Sequence, residues 1–287
     1  MTHEQKNRLI SLLRFIPDEP YLKLMFLLKQ GQFLNLNNPR AYNEKLQWLK
    51  LHNRKPVYTR MVDKYEAKQY VASIIGEEYI IPTLGVWDRF EDIDFDALPD
   101  QFVLKCTHDS GGLVICRDKS KLDLEAARKK INTSLKTNFY WVGREWPYKN
   151  VKPRIIAEEY LQDDSNDLKD YKLYTIHGVT KAIMVAQGRQ AGKTTADFFD
   201  PNFQPLHFTW GYPNAERSPA KPSAMTEMME IAEKLSKESP VLRVDLYQVR
   251  GKIYFGELTF FDGSGFDRIV PRSMDYELGK YINLDNI

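Results

Sequence analysis

The stretch RVDLYQVRGKIYFGELTFFDGSGF, residues 243–266, predicts two β-strands joined by one turn. Outside the turn the strands consist largely of Val, Leu, Tyr, Ile and Phe, which suit a half-buried sheet. Each strand nevertheless carries one acid within this apolar pattern, Asp245 in the first and Glu257 in the second. The register of the hairpin therefore determines whether the two carboxylates meet.

We expect a three-residue turn, residues 250–252, because its central glycine supplies the left-handed backbone conformation that such a turn needs. This turn pairs Val249 with Ile253 and consequently sets Asp245 directly opposite Glu257. A two-residue turn with regular pairing would put the two acids on opposite faces of the hairpin.

The predicted register also places Arg243 opposite Thr259, on the face that carries the two acids. Neighbouring carboxylates repel each other unless a cation lies between them, and their oxygens suit Mg²⁺. The alternative is that both acids lie exposed on an outward face, which the spacing alone leaves open.

A second hairpin is predicted for FVLKCTHDSGGLVICRDKSK, residues 102–121. A strand that contains Lys105 leads into Ser110, Gly111 and Gly112, and a second strand returns. Flexible glycines let backbone N–H groups approach phosphate oxygens closely, and the lysine adds a positive charge. A plain β-hairpin without a ligand is the alternative interpretation.

The third candidate segment is IIAEEYL followed by DYKLYTIHG. The first strand ends in Glu158 and Glu159, and the second begins with Asp170 and Lys172 on one face. Solvated strand ends are the alternative explanation for these charges.

Composition narrows the class of protein. Of the 287 residues, 43% are hydrophobic and 28% are charged, as in ordinary globular proteins. The net charge of +2 gives no field that favours nucleic acid or an anionic membrane. The two cysteines form no disulfide framework, so we expect a reducing cytoplasm. No secretion leader is evident, and the most apolar run, residues 21–28, is too short to span a bilayer.

The order of the predicted elements indicates the fold class. Helical patterns occupy about the first 75 residues, and short β-rich runs with a few helices follow. Because most of the strands are predicted to pair as antiparallel hairpins, we expect an α+β fold rather than a doubly wound parallel sheet.

Seven segments, in chain order, resemble the TupA-like (teichuronopeptide-biosynthesis) family of ATP-grasp enzymes. They are NPRAYNEKLQWLK, VDKYEAKQYV, IGEEYIIPTLGVW, FVLKCTHDSGG, IIAEEYL, DYKLYTIHG and RVDLYQVRGKIYFGELTF. The resemblance implies an ATP-grasp fold, in which two α+β subdomains clasp ATP between antiparallel sheets. It divides the chain into a helical head on the substrate side (1–75), a small lid subdomain (76–160) and a large subdomain with the metal site (161–287).

The resemblance also implies a nucleotide site. Lys64 and Lys105 match two lysines that contact the nucleotide, and the glycine loop after Lys105 matches the loop that closes over the phosphates. Glu158 matches the adenine-binding hinge, and Asp170 matches the acid that holds the ribose. The complete set implied for ATP is Lys64, Lys105, Ser110, Gly111, Gly112, Glu158, Glu159, Tyr160, Leu161, Asp170 and Lys172.

Catalytic and metal-binding residues follow from the same resemblance. Lys172 and Arg189 match basic residues that face the transferring phosphoryl group, and Arg243 matches an arginine suited to stabilise the oxyanion. Asp245 and Glu257 match the two carboxylates that bind magnesium.

One residue departs from the family pattern. The family usually places an asparagine two residues after the second magnesium carboxylate, and this chain has Thr259 there. We expect the Thr259 hydroxyl, or a water in its place, as the third ligand. The candidate contacts to the substrate are Gly263, Ser264, Arg268 and Arg272.

The implied activity is ligation of a carboxylate to an amine through an acyl phosphate, with ATP and Mg²⁺ as cofactors. The expected small-molecule substrates are an amino acid and a uronic acid, free or nucleotide-linked, of a surface polysaccharide. Basic residues of the head are expected to meet the acidic sugar, namely Lys45, Lys50, Arg54 and Lys55. A sugar kinase on the same fold and a non-catalytic nucleotide-binding protein are the alternatives. We expect neither a nucleic-acid partner nor a transmembrane segment.

Overall fold

The structure is a computed structural model in which residues 13–163, 168–188, 192–285 and 287 are described. None of the helices in these ranges is long and apolar enough to cross a membrane. The described residues contain eight α-helices, which are α1 (Asp18–Gln30), α2 (Tyr42–His52), α3 (Val57–Val62), α4 (Glu66–Ile75), α5 (Leu124–Leu135), α6 (Tyr140–Gly143), α7 (Met225–Leu235) and α8 (Arg272–Lys280).

Within the same described residues, twelve β-strands form two principal sheets and one short pair. The strands are β1 (Thr83–Trp87), β2 (Phe102–Cys106), β3 (Leu113–Cys116), β4 (Ile155–Glu159), β5 (Asp170–Ile176), β6 (Val179–Gln187), β7 (Thr195–Phe199), β8 (Pro205–Leu206), β9 (Thr209–Trp210), β10 (Val241–Val249), β11 (Lys252–Thr259) and β12 (Ile269–Val270). The smaller sheet has the order β1-β4-β2-β3, and the larger has the order β11-β10-β5-β6-β7-β8. Strands within each sheet pair antiparallel, which confirms the α+β prediction.

The smaller sheet packs against helix α5 around its own apolar core. Phe102 and Leu104 of β2 are fully buried, and Val103 and Lys105, which alternate with them, are half-buried, because alternate side chains of a strand point to opposite faces. Ile131 of α5 and Ile155 of β4 complete this core. Burying a side chain of this size stabilises the fold by about 1.5–3 kcal/mol.

The larger sheet shares a second core with helices α2, α3, α4 and α7. Every residue of β5 is buried, since both faces of this central strand are covered. Leu46, Met61 and Val71 come from α2, α3 and α4, and they lie in the same core as Leu173 of β5. The helical region therefore packs directly on the larger sheet. The three-part division of the chain remains a prediction.

The turn between β10 and β11 differs from the one expected. It has two residues, Arg250 and Gly251, and Val249 pairs with Lys252 rather than with Ile253. Both turn residues have positive φ, 49° and 82°, which is the geometry of a type I′ turn. A type I′ turn matches the right-handed twist of the two strands, which explains why it forms here. The predicted three-residue turn was therefore wrong.

A β-bulge at Gly256 corrects the register further along the hairpin. Leu246 pairs with Phe255, the next pair is Asp245 with Glu257, and Gly256 is the extra residue between them. The bulge allows Phe255 to enter the core while Glu257 lies on the face with Asp245. The predicted pairing of the two acids is confirmed, but the bulge produces it.

Candidate active site

Arg243 lies at the centre of a cluster of ion pairs on the larger sheet. Its Nε and Nη2 donate to the two carboxylate oxygens of Asp245 at 2.6 and 2.7 Å, which is a bidentate pair. Its Nη2 also donates to Glu257 Oε1 at 2.8 Å, and its Nη1 lies 2.6 Å from Asp262 Oδ1. Thr259 pairs with Arg243 across the strands, as predicted.

Lys172 of β5 is the second cation of this cluster. Its Nζ lies 2.7 Å from Asp170 Oδ2 and also contacts Asp245, which is its neighbour on β10. Asp170 and Lys172 share one face because they are two residues apart on a strand. Four carboxylates (170, 245, 257, 262) against two cations (172, 243) leave this carboxylate cluster with a formal charge of 2 − 4 = −2.

The two central acids have pKa values shifted in opposite directions. Burial raises the pKa of Asp245 to about 6, although Arg243 and Lys172 oppose the shift. Burial also acts to raise the pKa of Glu257, but the charges of Arg243 and Lys172 outweigh it and hold that pKa below its usual range. The side chain of Glu257 keeps 40% of its surface exposed, so it forms the accessible side of the cluster.

The carboxylate cluster suits Mg²⁺, which needs few protein ligands, better than it suits a metal ion whose ligands all come from the protein. Asp245, Glu257 and Thr259 offer only oxygen ligands, and the Thr259 hydroxyl lies 3.1 Å from Glu257 Oε1. Within the described ranges, no three His, Cys, Asp or Glu side chains are arranged to hold a metal ion. Magnesium usually takes one or two carboxylates and completes its shell with water and phosphate oxygens. The donor set therefore suits magnesium bound together with a phosphate.

Glu158 lies at the end of β4 between two lysines. Its Oε1 is 2.6 Å from the Nζ of Lys68 on α4, and its Oε2 contacts Lys105 of β2. The Nζ of Lys68 also donates to the carbonyl oxygen of Ile81 at 2.6 Å and to the hydroxyl of Thr83 at 3.0 Å. Burial opposes ionisation of Glu158, yet the two lysines hold its pKa below the usual value. Lys68, which the sequence did not single out, therefore helps to place both Glu158 and Lys105.

Lys64 is fixed at the junction of α3 and α4. The carboxylate of Asp63 accepts from the backbone N–H groups of Tyr65 and Glu66 at 2.9 and 3.3 Å, which caps α4. The same side chain accepts from Arg154 at 2.7 Å, at the start of β4. This anchoring directs Lys64 to the glycine loop, where its Nζ donates to the carbonyl oxygen of residue 109.

The glycine loop between β2 and β3 is stabilised by hydrogen bonds to the side chain of Asp109, which lies in the loop. Both carboxylate oxygens of Asp109 accept from the backbone N–H of Gly112, at 3.1 and 3.2 Å, and one also accepts from the Ser134 hydroxyl. A Cβ at Gly112 would lie 2.5 Å from Cys106 Sγ, so only glycine fits there. Ser110 is exposed at the tip of the loop. The predicted lysine-and-glycine arrangement is thus brought together in space.

The remaining predicted residues, apart from Ser264, divide into four groups, one of which is Gly263 alone, exposed in the 3₁₀ helix Asp262–Gly265. Glu159 is exposed at the end of β4, and the half-buried Tyr160 and Leu161 follow in the link toward β5. Arg268 donates to the carbonyl oxygen of residue 29 at 3.0 Å, and Arg272 donates to the hydroxyl of residue 276 at 2.8 Å; neither partner belongs to the carboxylate cluster. Arg189 lies outside the described residues.

The basic residues of the helical head are engaged within the protein. Lys45 donates to the carbonyl oxygens of residues 279 and 282, and Lys50 is fully buried. Arg54 pairs with Asp18 at 2.9 Å, and Lys55 donates to the carbonyl oxygen of residue 238. The charges of Lys45 and Lys50 join elements of the fold, so these two residues do not support an acidic-sugar site at the head, whereas the side chains of Arg54 and Lys55 remain 30% and 48% exposed.

Asp262 is a second residue that the sequence did not single out. It begins the 3₁₀ helix Asp262–Gly265 just after β11, and it accepts from the Tyr174 hydroxyl besides pairing with Arg243. Its position in FFDGSG, five residues after Glu257, could have indicated that it belongs to the site, but an acid in a loop is usually solvated.

One of the comparisons with known proteins identifies a family for this chain. The family model described as TupA-like ATPgrasp matches residues 44–283. No curated protein matches the chain.

Solved structures of ligases show weak similarity over much of the chain. One is D-alanine–D-alanine ligase from Bacillus anthracis complexed with ATP, 16% identical, covering 70% of this chain and 53% of that one, with a TM-score of 0.40. Another is L-amino acid ligase from Bacillus licheniformis, 14% identical, covering 88% of this chain and 57% of that one, with a TM-score of 0.46. The chain thus spans little more than half the length of these two proteins.

Proposed function

Because this chain belongs to the TupA-like ATP-grasp family, we propose that it is an ADP-forming ligase that joins a carboxylate to an amine. ATP-grasp enzymes use ATP with Mg²⁺. In the proposed reaction the substrate carboxylate attacks the γ-phosphoryl group of ATP and forms an acyl phosphate. The amine then attacks the acyl carbon, and phosphate leaves.

The observation that carries this proposal is the carboxylate cluster on β5, β10 and β11. Asp245 and Glu257 lie side by side and are the residues that would hold Mg²⁺, which neutralises phosphate charge when bound. Arg243 and Lys172 are positioned by these carboxylates within reach of the same region. Preorganised cations stabilise the charge that develops on a transferring phosphoryl group, and such chemistry needs no covalent nucleophile.

The nucleotide would lie between the two sheets, near Lys64, Lys105 and the glycine loop. Lys105 retains 21% of its side-chain surface exposed, and Ser110 lies open at the loop tip. Glu158, held by Lys68 and Lys105, would face the adenine side. The short link from β4 to β5 brings these groups close in sequence to Asp170 and Lys172.

For the substrates, we propose an amino acid as the amine and a uronic acid as the carboxylate, either free or nucleotide-linked. The association of the family with envelope polymers supports this choice. The two cysteines are both free and buried, which supports a role in the reducing cytoplasm.

A coupled assay for ADP release tests the proposed function. The protein is incubated with ATP, Mg²⁺, a panel of uronic acids and their nucleotide-linked forms, and the proteinogenic amino acids. We expect ADP release that requires both a uronic acid and an amine, with an amide product detected by mass spectrometry. ADP release with a sugar but without any incorporated amine would instead identify a sugar kinase.

Two substitutions separate an enzyme from a non-catalytic nucleotide-binding protein. Glu257→Gln should lower turnover by at least about 10²-fold with the fold preserved, because it removes a carboxylate from the proposed magnesium site. Glu277→Gln, on the exposed face of α8, is the matched control and should leave turnover unchanged. Unchanged function in the Glu257 variant would contradict both enzymatic readings.

A further inference from the structure

A buried polar group lies directly behind the loop that follows β11. It consists of Lys50 from α2, Glu145 from the segment after α6, and Ser264 from the 3₁₀ helix of residues 262–265. Lys50 and Glu145 are 0% and 3% exposed, and the Ser264 hydroxyl donates to Glu145 Oε1. Neither Lys50 nor Glu145 takes part in the carboxylate cluster, so their burial needs another explanation.

The contacts of Lys50 and Gln47 fix the loop in one position. Lys50 Nζ donates to the carbonyl oxygens of Gly143 and Ser264, both at 2.7 Å, and to Gln47 Oε1 at 3.0 Å. Gln47 Nε2 in turn donates to the carbonyl oxygen of Gly265 at 2.8 Å. Ser264 itself is held with φ at +54°, a conformation that L-residues adopt only when their surroundings enforce it.

This loop links the buried group to the carboxylate cluster. Asp262, two residues before Ser264, pairs with Arg243 at 2.6 Å. Ser264 is half-buried, whereas Glu145 is almost completely enclosed. Of the two residues, Ser264 is therefore the one that keeps some exposed surface, and the Glu145 carboxylate lies behind it.

The chemistry of amide formation requires a proton acceptor, and this pair can supply one. An amine that attacks an acyl carbon becomes positively charged and must lose a proton. A carboxylate in hydrogen-bond contact with a serine hydroxyl can accept that proton through the hydroxyl. None of the groups in the carboxylate cluster suits this task, since Arg243 and Lys172 are cations and the acids are paired with them.

We propose that Ser264 and Glu145 form the proton-accepting part of the amine site, which rests on the proposed ligase function. As the amine nitrogen bonds to the acyl carbon, its proton passes to Ser264 Oγ and the serine proton passes to Glu145. The bond from the acyl carbon to the phosphate oxygen breaks, and phosphate leaves with the electron pair. Glu145 then returns its proton to solvent. Lys50 and Gln47 position the loop.

Hydroxylamine separates this role from a role in forming the acyl phosphate. Hydroxylamine is strongly nucleophilic at neutral pH, and because it is a weak base its adduct with an acyl carbon loses its proton readily to water, so it traps an acyl phosphate as a hydroxamate without needing a base from the protein. The assay uses the full chain with ATP, Mg²⁺ and the uronic acid that supports wild-type turnover. Hydroxamate formation and amide formation with the amino acid are measured in parallel.

Glu145→Gln keeps an oxygen that can accept from Ser264 but cannot take a proton. We expect amide formation to fall by about 10²–10⁴-fold, with hydroxamate formation close to the wild-type rate. Ser264→Ala should show the same split. Glu44→Gln is the matched control: Glu44 is also buried, at 6% exposure, but its carboxylate only accepts from the backbone N–H groups of residues 40 and 41.

Three other results would count against the proposal. Equal loss of hydroxamate and amide in Glu145→Gln would make Glu145 a residue that shapes the site as a whole. Unchanged amide formation would show that the proton goes elsewhere. Wild-type protein that forms amide but no hydroxamate from the same uronic acid would contradict an acyl phosphate intermediate and with it the proposed ligase mechanism. Thermal unfolding of each variant identifies any loss that comes from the fold.

Discussion

Removing the guanidinium at the centre of the carboxylate cluster should destabilise the protein strongly. Arg243 is 8% exposed and contacts three carboxylates, those of Asp245, Glu257 and Asp262, at 2.6–2.8 Å. In Arg243→Met these acids lose their shared partner, and the formal charge of the cluster changes from −2 to 1 − 4 = −3. Removing one side of a buried ion pair costs about 3–5 kcal/mol.

The measurement is thermal unfolding followed by circular dichroism. For 287 residues the unfolding entropy is about 0.6 kcal/mol/K, so the loss corresponds to a fall in Tm of about 5–8 °C. Added Mg²⁺ should raise the Tm of the variant more than that of the wild type, since the unpaired carboxylates then have a cation. Arg89→Met is the control, because Arg89 pairs with Asp92 in the same bidentate way on the surface and should change little.

The pH dependence gives the reasoning a second test. The pKa of Glu257 is lower in the folded state than in the unfolded chain, so its contribution is present at neutral pH and is lost as pH falls through about 4.3 and below. The difference between wild type and Arg243→Met should therefore be largest at neutral pH and shrink in acid. A variant as stable as the wild type at pH 7, or a control that falls equally far, would refute the argument.

Three further predictions concern other parts of the molecule. Gly256→Val should lower the free energy of unfolding by about 1–3 kcal/mol in a denaturant titration, because even a Cβ there lies 3.0 Å from the carbonyl oxygen of Asp245; an unchanged midpoint would contradict the bulge. Lys68→Met should cost about 1–3 kcal/mol in the same assay, since it removes one of the two cations that pair with the buried Glu158; equal stability would show that Lys105 alone suffices. Burial raises the pKa of the Cys106 thiol to about 11, so iodoacetamide at pH 8 should label it in the native protein far more slowly than in the unfolded chain, as read by mass spectrometry; equal rates would contradict its burial.

The pairing of the two acids could be predicted from the sequence because it depends on parity. Eleven residues separate Asp245 from Glu257. Since the strand residues among them pair two by two, Asp245 and Glu257 can face each other only if the turn and any bulge together contain an odd number of unpaired residues. A three-residue turn and a two-residue turn with one bulge both satisfy this condition. The sequence does not distinguish them, since Gly251 suits either turn and Gly256 reads as an ordinary strand glycine.

The family and the α+β class could also be predicted. Both depend on the order in which recognisable segments follow one another along the chain, and this order can be read from the sequence. The family match over residues 44–283 and the antiparallel sheets confirm both. Strands β7, β8, β9 and β12 were not predicted, since their short runs show no clear alternation of apolar and polar residues. The predicted roles of individual site residues remain predictions.

Two of the side-chain pairs that the sequence did not reveal join distant parts of the chain. Lys68 meets Glu158 across 90 residues, and Glu145 meets Ser264 across 119. No local pattern indicates such contacts, because each residue taken alone resembles an ordinary helix or loop charge. Lys50 of the head shows the opposite kind of error. It was predicted to meet a substrate, but its ammonium group donates to carbonyl oxygens inside the fold.

The contacts of Arg243 and Lys172 have a consequence for the order in which ligands bind. Both side chains neutralise the acids that a divalent cation would need, so the cation competes with them for the same oxygens. A nucleotide offers the displaced side chains new anionic partners in its phosphates. Metal and nucleotide should therefore bind as positively coupled ligands, each tightening the other's affinity by the same factor.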